Sequence, residues 1–469
     1  MEALGRANGS LRMAASISEP LDFKPTLRVL EAALGEFDDL GSNSGSAVEP
    51  QVRRAALEAF RNFGRERTAF PSRWRYDYAA LQFEELIWST GRARVPALPR
   101  AGRTGQAEPS QAPALAVDNA GGLVHLGSVY LEPEIRIGDP RVTLLALADA
   151  QRAFPERVAG VRRRFARPHA DRFSALATAF QNCGAYVDIP DGVVLDAPLQ
   201  LLWTSRPGNA SAVFPQTVVR VGAGARATIV ERHVGDGESF VNGIVEIELA
   251  SQAQLDYVVV QDADAAARLL FRRAARCAAG ATVGWHVAEL GAGLVRSVVD
   301  TQLAEAAATA NVNVLFFARG FGHVDLAVEI DHDGSETVSQ TIVRSAASDL
   351  GQGRFAGGVR IPRTARGCKA SMRDDALVLS RDAYLEAVPA LEIAANDVSA
   401  SHAATVGSLD EEQLFYVQSR GFARGTAERM VALAFFEPAI VRFPTEVFRD
   451  EIRTALDERL DEIPETFVS

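Results

Sequence analysis

Cysteine is scarce in this chain, which has three such residues among 469. Cys183, Cys277 and Cys368 are widely separated, so they fit neither a disulfide framework nor the paired spacing of a zinc site. Aromatic residues are few, at 7%, and no run of about 18 apolar residues predicts a transmembrane helix. The N-terminal stretch lacks the apolar segment of a signal peptide. We therefore expect a protein of the reducing cytoplasm.

Positive charge is also in deficit. Lys and Arg total 49 against 60 for Asp and Glu, which gives a formal net charge of -11. This excess of negative charge disfavours binding to nucleic acid or to an anionic membrane. The chain contains no phosphate-binding GxxxxGK[ST], no strand-linked GxGxxG with a downstream acid, no HExxH and no GxSxG. The usual enzyme motifs are therefore absent.

Helical and β-rich patterns alternate along the chain. Apolar residues at three- and four-residue steps predict a helical region within residues 1–110, and the Pro- and Gly-rich stretch between Pro96 and Pro113 predicts its linker. A β-rich core is predicted over 111–407, with an internal helical patch near 140–182. From 408 to 469 the apolar spacing is helical again. We therefore expect three regions with the β-rich one at the centre.

Within the β-rich core, a small residue recurs just before an alternating strand. It occurs at Ala225, Ala253 and Ala281, 28 residues apart each time, and less regularly at Ala308, near Ala365 and at Ala383. A strand repeat of this length predicts stacked coils that bury one another's faces, a β-solenoid or β-helix. A β-sandwich or barrel is the competing architecture. Alternating βαβ units are excluded, because helical spacing is almost absent between these strands.

Two short motifs place histidine beside carboxylates. His323 and Asp325 stand in GHVD, and His332 stands between Asp331 and Asp333 in DHD. Imidazole and carboxylate donors this close suit Fe(II), Zn or Mn. The alternative is structural, since polar residues at the turns of a β-coil also bond to the backbone.

Two single residues are further candidates for chemistry. His402 stands in NDVSASHAATVG, between the last predicted strand and the first C-terminal helix, where its imidazole would be partly exposed as a ligand or proton carrier. Cys368 has the basic neighbours Arg366 and Lys369, which would favour a reactive thiolate. A purely structural role is the alternative for both residues.

The C-terminal helices carry more apolar residues than so short a unit can bury by itself. The apolar positions are Leu414, Val417, Phe448, Ile452, Leu456 and Leu460. We interpret these positions as a docking face for a partner protein.

Four blocks in the C-terminal third resemble SufB and SufD, the paralogous components of the SUF iron-sulfur cluster assembly machinery. In order along the chain they are SQTIVRSAASDLGQGRFAGGVRIP (339–362), LVLS (377–380), PALEIAANDVSASHAATVG (389–407) and LDEEQLFYVQSRGF (409–422). Weaker similarity extends over 171–202, 221–235 and 289–300. Residues 1–110 resemble the family only loosely, through RRAALEAF and WRYDY.

The resemblance implies a right-handed parallel β-helix flanked by N- and C-terminal helical segments. It also implies a subunit without catalytic activity of its own, in a complex with a SufB-like paralogue and a SufC-like ABC ATPase that binds the C-terminal helices. A cysteine desulfurase would be an indirect partner. No tightly bound cofactor is expected, only transient iron or an Fe-S cluster at the heterodimer interface. An isolated chain could form a homodimer instead.

Two positions favour the SufD branch of the family. SufB has a cysteine, taken as sulfur acceptor and cluster ligand, where this chain has Asp374, and a carboxylate cannot accept persulfide sulfur. His402 matches a family histidine but lacks the acidic neighbours that it has in SufB. Ala400 stands where many SufD sequences have a further cysteine. The resemblance makes His402 the candidate for metal or cluster contact, with Cys368 and Asp374 as secondary candidates.

Two other functions stay open at this point. A SufB-like scaffold that acts alone, as a homodimer, would have to ligate its cluster through the three cysteines. A carbohydrate-active β-helix enzyme would use Asp300, Asp325 and Asp331 on adjacent coils. Its sugar-binding cleft would need aromatic platforms, of which the sequence has few.

Overall fold

The structure is a computed structural model that describes most of the chain after residue 120. The described residues are 30–35, 48–62, 87–88, 120–126, 129–130, 134–135, 139–162, 171–205, 211–235 and 237–461. The predicted linker between Pro96 and Pro113 lies outside them. In the N-terminal region, residues 30–35 and helix α1 (Pro50–Asn62) are helical.

Two sheets of eleven strands each, among the described residues, form a solenoid of about seven turns. The first sheet consists of β1 (Ile87–Trp88), β5 (Thr143–Ala146), β6 (Cys183–Ile189), β8 (Ser211–Val213), β9 (Pro215–Val221), β11 (Ser239–Leu249), β13 (Arg268–Cys277), β15 (Leu294–Leu303), β17 (His323–His332), β19 (Gln352–Ile361) and β21 (Tyr384–Ile393). The second consists of β2 (Gly121–Leu126), β3 (Val129–Tyr130), β4 (Glu134–Ile135), β7 (Leu199–Ser205), β10 (Arg226–Gly235), β12 (Gln254–Ala263), β14 (Thr282–Glu289), β16 (Thr309–Ala318), β18 (Val338–Ala347), β20 (Cys368–Val378) and β22 (Val398–Gly407).

From β9 onward, successive strands alternate between the sheets, and each pairs in parallel with the strand one coil later. The parallel pair of β10 and β12, for example, is followed by that of β12 and β14. Because side chains alternate along a strand, every second residue faces the interior. Inward residues such as Ile229, Val259, Val287 and Ile247 form one continuous core between the sheets. The predicted parallel β-solenoid is therefore confirmed.

The predicted small residue before a strand forms a buried column where the chain turns from the first sheet into the second. Its members are Ala225, Ala253, Ala281, Ala308, Thr337 and Cys368, all with no exposed surface. The prediction is right for this corner as far as Ala308. Ala365 lies in the loop three residues before β20, and Ala383 does directly precede a strand, β21, but that strand belongs to the first sheet. Thr337 and Cys368 escape the pattern because a hydroxyl and a thiol replace the methyl group at these positions.

The residue that directly precedes each member of this column has a left-handed backbone conformation. Glycine is that residue in some coils, but before Ala308 it is Ala307, with φ 58°. A Cβ atom in this region costs about 1 kcal/mol or more, so Ala307→Gly is expected to raise the free energy of unfolding by about 0.5–1 kcal/mol after the entropy cost of glycine. Denaturant midpoints would measure this gain. The adjacent Ala308→Gly serves as the control and should destabilise, since Ala308 is a buried strand-entry residue; two equal losses would contradict the prediction.

Helices near the N-terminal side cover the outer face of the first sheet. They are α2 (Leu147–Ala153), α3 (Pro155–Val161) and α4 (Arg172–Phe180), within the patch predicted near 140–182. Asp171 caps α4, because its carboxylate accepts the backbone N–H groups of Phe173 and Ser174. Helices α1 and α4 pack together against Phe214 and Phe240 of the solenoid.

Three C-terminal helices lie across the outer face of the second sheet. They are α5 (Glu411–Ser419), α6 (Arg424–Ile440) and α7 (Glu446–Asp461), and we call residues 411–461 the helical strap. Its apolar side chains pack on several coils of this sheet, at Val230, Val258, Ala288 and Leu315. Arg232 of β10 forms a bidentate ion pair with Glu451 of α7. No helix in the described part of the chain is both long enough and apolar enough to cross a membrane.

Candidate functional site

The solenoid ends on two strands that have a ladder on one side only. Among the described residues, β21 pairs with β19 alone and β22 pairs with β20 alone. An edge strand presents a row of unpaired backbone N–H and C=O groups, to which another chain can add a strand. Three large apolar side chains are exposed on these strands, those of Tyr384, Ile393 and Val406. This open end is the first candidate for a binding surface.

His402 lies at this open end, and the structure corrects its predicted position. It belongs to the last strand, β22, and does not follow it. It completes an inward-facing row that runs through Val312, Thr341 and Met372 on the preceding coils of the second sheet. Since no coil follows, its imidazole is exposed and forms no hydrogen bond or ion pair with the described residues. The side chain is therefore available to a group that arrives at the end of the solenoid.

Asp374 lies on the neighbouring strand β20, in the next inward-facing row, between Val343 and Ala404. Its side chain is buried, and both carboxylate oxygens lack a hydrogen-bond partner among the described residues. Burial raises the pKa of this carboxyl to about 7, an effect that the Arg344 guanidinium opposes only in part. Arg344 itself lies on the outer face of the sheet, where it pairs with Asp375. Asp374 is thus a buried acid to which no described residue donates a hydrogen bond.

Cys368 is a core residue in this structure. It occupies the buried column at the start of β20, where Thr337 Oγ1 lies 3.2 Å from its Sγ atom as a hydrogen-bond donor. The predicted activation by Arg366 and Lys369 does not arise, because these side chains are exposed whereas the thiol faces the interior. Cys183 and Cys277 are also buried, and burial raises the pKa of Cys277 to about 12. No cysteine of the chain is exposed.

The two histidine motifs do not form metal sites. His332 is buried between two hydroxyl groups, Thr337 Oγ1 at 2.8 Å and Ser339 Oγ at 2.9 Å. Its neighbours Asp331 and Asp333 point away from it and pair with Arg360. Successive strand residues face opposite sides, so adjacent ligands cannot converge.

In the other motif, Asp325 of β17 pairs with Arg354 at 3.2 Å, and burial lowers the pKa of His323. Asp300 of β15 pairs with Arg272. No group of three or more His, Cys, Asp or Glu side chains in the described residues is arranged to hold a metal ion. The structural interpretation of both motifs therefore fits better than the metal-binding one.

The predicted docking residues of the helical strap are largely core residues. Five of them are at most 2% exposed, namely Leu414, Phe448, Ile452, Leu456 and Leu460, and Val417 is half-buried. The α7 residues of this set face the sheet, because contact with them removes the apolar outer face of the solenoid from water. The exposed apolar side chains of the strap are different ones. The aromatic ones are Phe415 at 73%, Tyr416 at 59% and Phe422 at 45%, and Val441 and Val447 are exposed as single aliphatic side chains. This correction moves the candidate docking surface to the outer side of α5.

The solenoid interior contains a buried ionic network that the sequence did not lead us to predict. Glu231 accepts hydrogen bonds from Arg273 at 2.7 Å and from Tyr257, and its Oε1 atom lies 2.7 Å from His233 Nε2. Burial by itself raises the pKa of Glu231, but the guanidinium of Arg273 and the other donors hold it at about 2. The second carboxylate near Arg273, Glu289, is 3.8 Å away, and burial raises its pKa to about 7. The sequence did contain a signal for this network, namely charged residues at inward-facing positions of otherwise apolar strands.

Comparison with known proteins identifies similar sequences. The family model for the SUF system FeS cluster assembly SufBD core domain matches residues 203–435. An iron-sulfur cluster assembly SufBD family protein of Mycobacterium leprae is 28% identical over 265 residues, which are 56% of this chain and 30% of that protein. A SufBD family protein of Staphylococcus saprophyticus is 29% identical over 285 residues, 60% of this chain and 61% of its own length. One from Staphylococcus aureus is 27% identical over the same shares of both chains.

Proposed function

The chain belongs to the SufB/SufD family of iron-sulfur cluster assembly proteins, and from this premise we propose that it serves as a SufD-like subunit. Its partners are a SufB-like paralogue and a SufC-like ABC ATPase, and a cysteine desulfurase supplies sulfur to the complex indirectly. The chain carries out no reaction alone and supports iron acquisition and cluster formation in the cytoplasm.

The observation that carries this proposal is the burial of every cysteine. A nascent cluster needs thiolate or sulfide ligands, and Cys183, Cys277 and Cys368 are all inside the protein. The absence of an exposed thiol argues against a stand-alone scaffold and for a partner that brings the sulfur ligands. The carbohydrate-active alternative loses support as well, since Asp300, Asp325 and Asp331 are all engaged with arginines.

The open end of the solenoid supplies the surface on which the SufB-like paralogue docks. Strands β21 and β22 offer free backbone edges, and His402 stands among them with an exposed imidazole. A neutral imidazole nitrogen can complete an iron or cluster site that the partner's thiolates begin. Iron and the cluster are cargo at this seam, and no resident cofactor is required. The outer side of α5, with Phe415 and Tyr416, is the surface for the ATPase.

Co-expression tests the proposal directly. The chain is produced with the SufB-like and SufC-like proteins of the same genome under anaerobic, reducing conditions and isolated through a tag on this subunit. We expect a ternary complex with an Fe-S chromophore that the isolated chain does not acquire. Recovery of this chain alone, or a stable cluster on the isolated chain, would refute the SufD-like assignment.

His402→Ala is expected to lower cluster loading of the complex several-fold without loss of the complex. The exposed imidazole contributes little packing, so the free energy of unfolding should change by less than about 0.5 kcal/mol. Iron and sulfide content per complex, melting temperature and partner recovery are the three measurements. Ser401→Ala, an exposed neighbour that faces the other way, is the matched control and should load normally. Full loading of the His402 variant would end the ligand proposal, and loss of the complex would make His402 a structural residue.

A further inference from the structure

Asp374 interrupts a row of valines inside the solenoid. The same inward-facing row holds Val259, Val287, Val314 and Val343 on the preceding coils, and Ala404 on the last. A carboxylate thus takes the place of a valine one coil before the open end. Both of its oxygens are buried without a donor among the described residues. A buried acid in this position either keeps its proton or requires a donor from beyond the described residues.

The strands around Asp374 supply no such donor. The inward sides of β18, β19 and β21 carry no titratable side chain. On the inward side of β20 the other side chain of a titratable type is Cys368, at the far end of the strand. Arg344 of β18 and Arg373 of β20 are on the outer face, where both bond to Asp375. His402 is the one titratable residue of β22. No inward-facing basic side chain of the described residues therefore balances the charge of an ionised Asp374, and the guanidinium of Arg344 on the outer face does so only in part.

Only a small side chain separates Asp374 from the open end of the solenoid. Its neighbour on β22 is Ala404, whose side chain is a methyl group and which is exposed. A long side chain from a docked protein can therefore reach the carboxyl past this methyl group. Strands β21 and β22 contain no lysine or arginine. In a symmetric dimer the same patches meet, so a second copy of this chain docked through these two strands has no such side chain to offer.

We infer that the open end is built for a non-identical partner that places a lysine or arginine side chain against Asp374, past Ala404. This inference rests on the proposed function, whose SufB-like paralogue would supply the basic side chain. A charge-assisted hydrogen bond to a buried carboxylate is strong and specific. The same contact leaves a homodimer at a disadvantage, since its copy of Asp374 would be buried without a counter-charge.

The test is the affinity of this chain for the co-expressed SufB-like partner, measured for the native chain and for Asp374→Asn at pH 6 and pH 8. The native chain should bind about tenfold more tightly at pH 8, because a carboxyl of pKa about 7 is ionised in about one tenth of molecules at pH 6 and in nine tenths at pH 8. Asp374→Asn should remove this gain and weaken binding at pH 8 at least tenfold. Asp382→Asn, in the exposed turn before β21, is the control and should leave affinity unchanged.

The isolated variant gives an independent measurement. The folded-state pKa of Asp374 lies above that of the unfolded chain, so the native protein loses stability as pH rises from about 4 through 7. Asp374→Asn should abolish this contribution and melt at a higher temperature than the native chain at pH 8. If the native chain and Asp374→Asn bind the SufB-like partner with the same affinity at pH 6 and at pH 8, the inference is overturned and the proposed function stays intact. A homodimer that weakens in this variant assigns the carboxyl to a second copy, and absence of any native complex overturns both proposals.

Discussion

Replacement of Arg273 by methionine is expected to lower the free energy of unfolding by about 3–5 kcal/mol, the cost of leaving a buried carboxylate without its partner. The side chain of Arg273 is 1% exposed. Its guanidinium bonds to Glu231 at 2.7 Å and to Ser297 Oγ at 2.9 Å. Methionine replaces the aliphatic part of this side chain but has no guanidinium, so it leaves Glu231 charged in the interior. Denaturant unfolding at pH 7 measures the loss.

Two controls make the result specific to the buried pair. Arg276 lies three residues further along β13, on the outer face of the sheet, and pairs with Glu305 at 3.2 Å. Arg276→Met should cost no more than about 1 kcal/mol. The double variant Arg273→Met with Glu231→Gln should recover part of the loss, because the unpaired charge is gone. Equal losses in Arg273→Met and Arg276→Met would contradict the account.

The pH dependence of the network follows from the lowered pKa of Glu231. Its folded-state pKa of about 2 lies below the ordinary value of 4.5. The stability that Glu231 contributes is therefore fully present above about pH 5 and is lost as the pH falls toward 2. Glu289 has the opposite sign, because burial raises its pKa to about 7. Its ionisation thus lowers stability as the pH rises toward 7.

The second large effect concerns the helical strap. Phe415→Asp is expected to weaken binding of the SufC-like ATPase at least about 30-fold, a loss of about 2 kcal/mol typical of an exposed aromatic anchor. The strap itself should stay folded, because Phe415 is 73% exposed. Titration of the ATPase against the isolated subunit, together with the melting temperature, measures both properties.

Leu456→Ala is the contrasting variant on the same strap. Leu456 has no exposed surface, so its truncation should cost about 2–5 kcal/mol of stability. ATPase affinity should remain close to normal at temperatures at which the variant is folded. If Leu456→Ala abolished binding while Phe415→Asp did not, the docking face would be the inner row that the sequence analysis first indicated.

The repeat predicted the solenoid because the stacking of coils imposes a visible constraint. Ala225, Ala253 and Ala281 enter strands at the same corner, where only a small side chain fits. The prediction failed at Thr337 and Cys368, since a buried hydroxyl or thiol satisfies the same volume requirement and looks polar or reactive in sequence. Which face of the C-terminal helices is buried could not be predicted, because Leu456 and Phe415 are both apolar and the sheet that selects between them is far away in sequence.

The candidate site was predicted in part. Resemblance indicated His402, and the structure adds that it ends an inward-facing row. The cluster role of His402 stays a prediction. The buried acids Glu231 and Asp374 had a weak local signal, a charged residue at an inward position of an apolar strand. That signal becomes informative only once the register of neighbouring coils is known, because the register decides whether a guanidinium is in reach.

The helical strap affects which strand of the second sheet is easiest to unfold locally. Its apolar core joins side chains from β10 through β20 of the second sheet, and none from β22. Opening of a central strand must break two ladders together with helix packing, whereas opening of β22 breaks a single ladder. Within the second sheet, local unfolding therefore costs less free energy at the strand that carries His402 than at the central strands. That strand can exchange hydrogens and readjust while the rest of the solenoid stays intact.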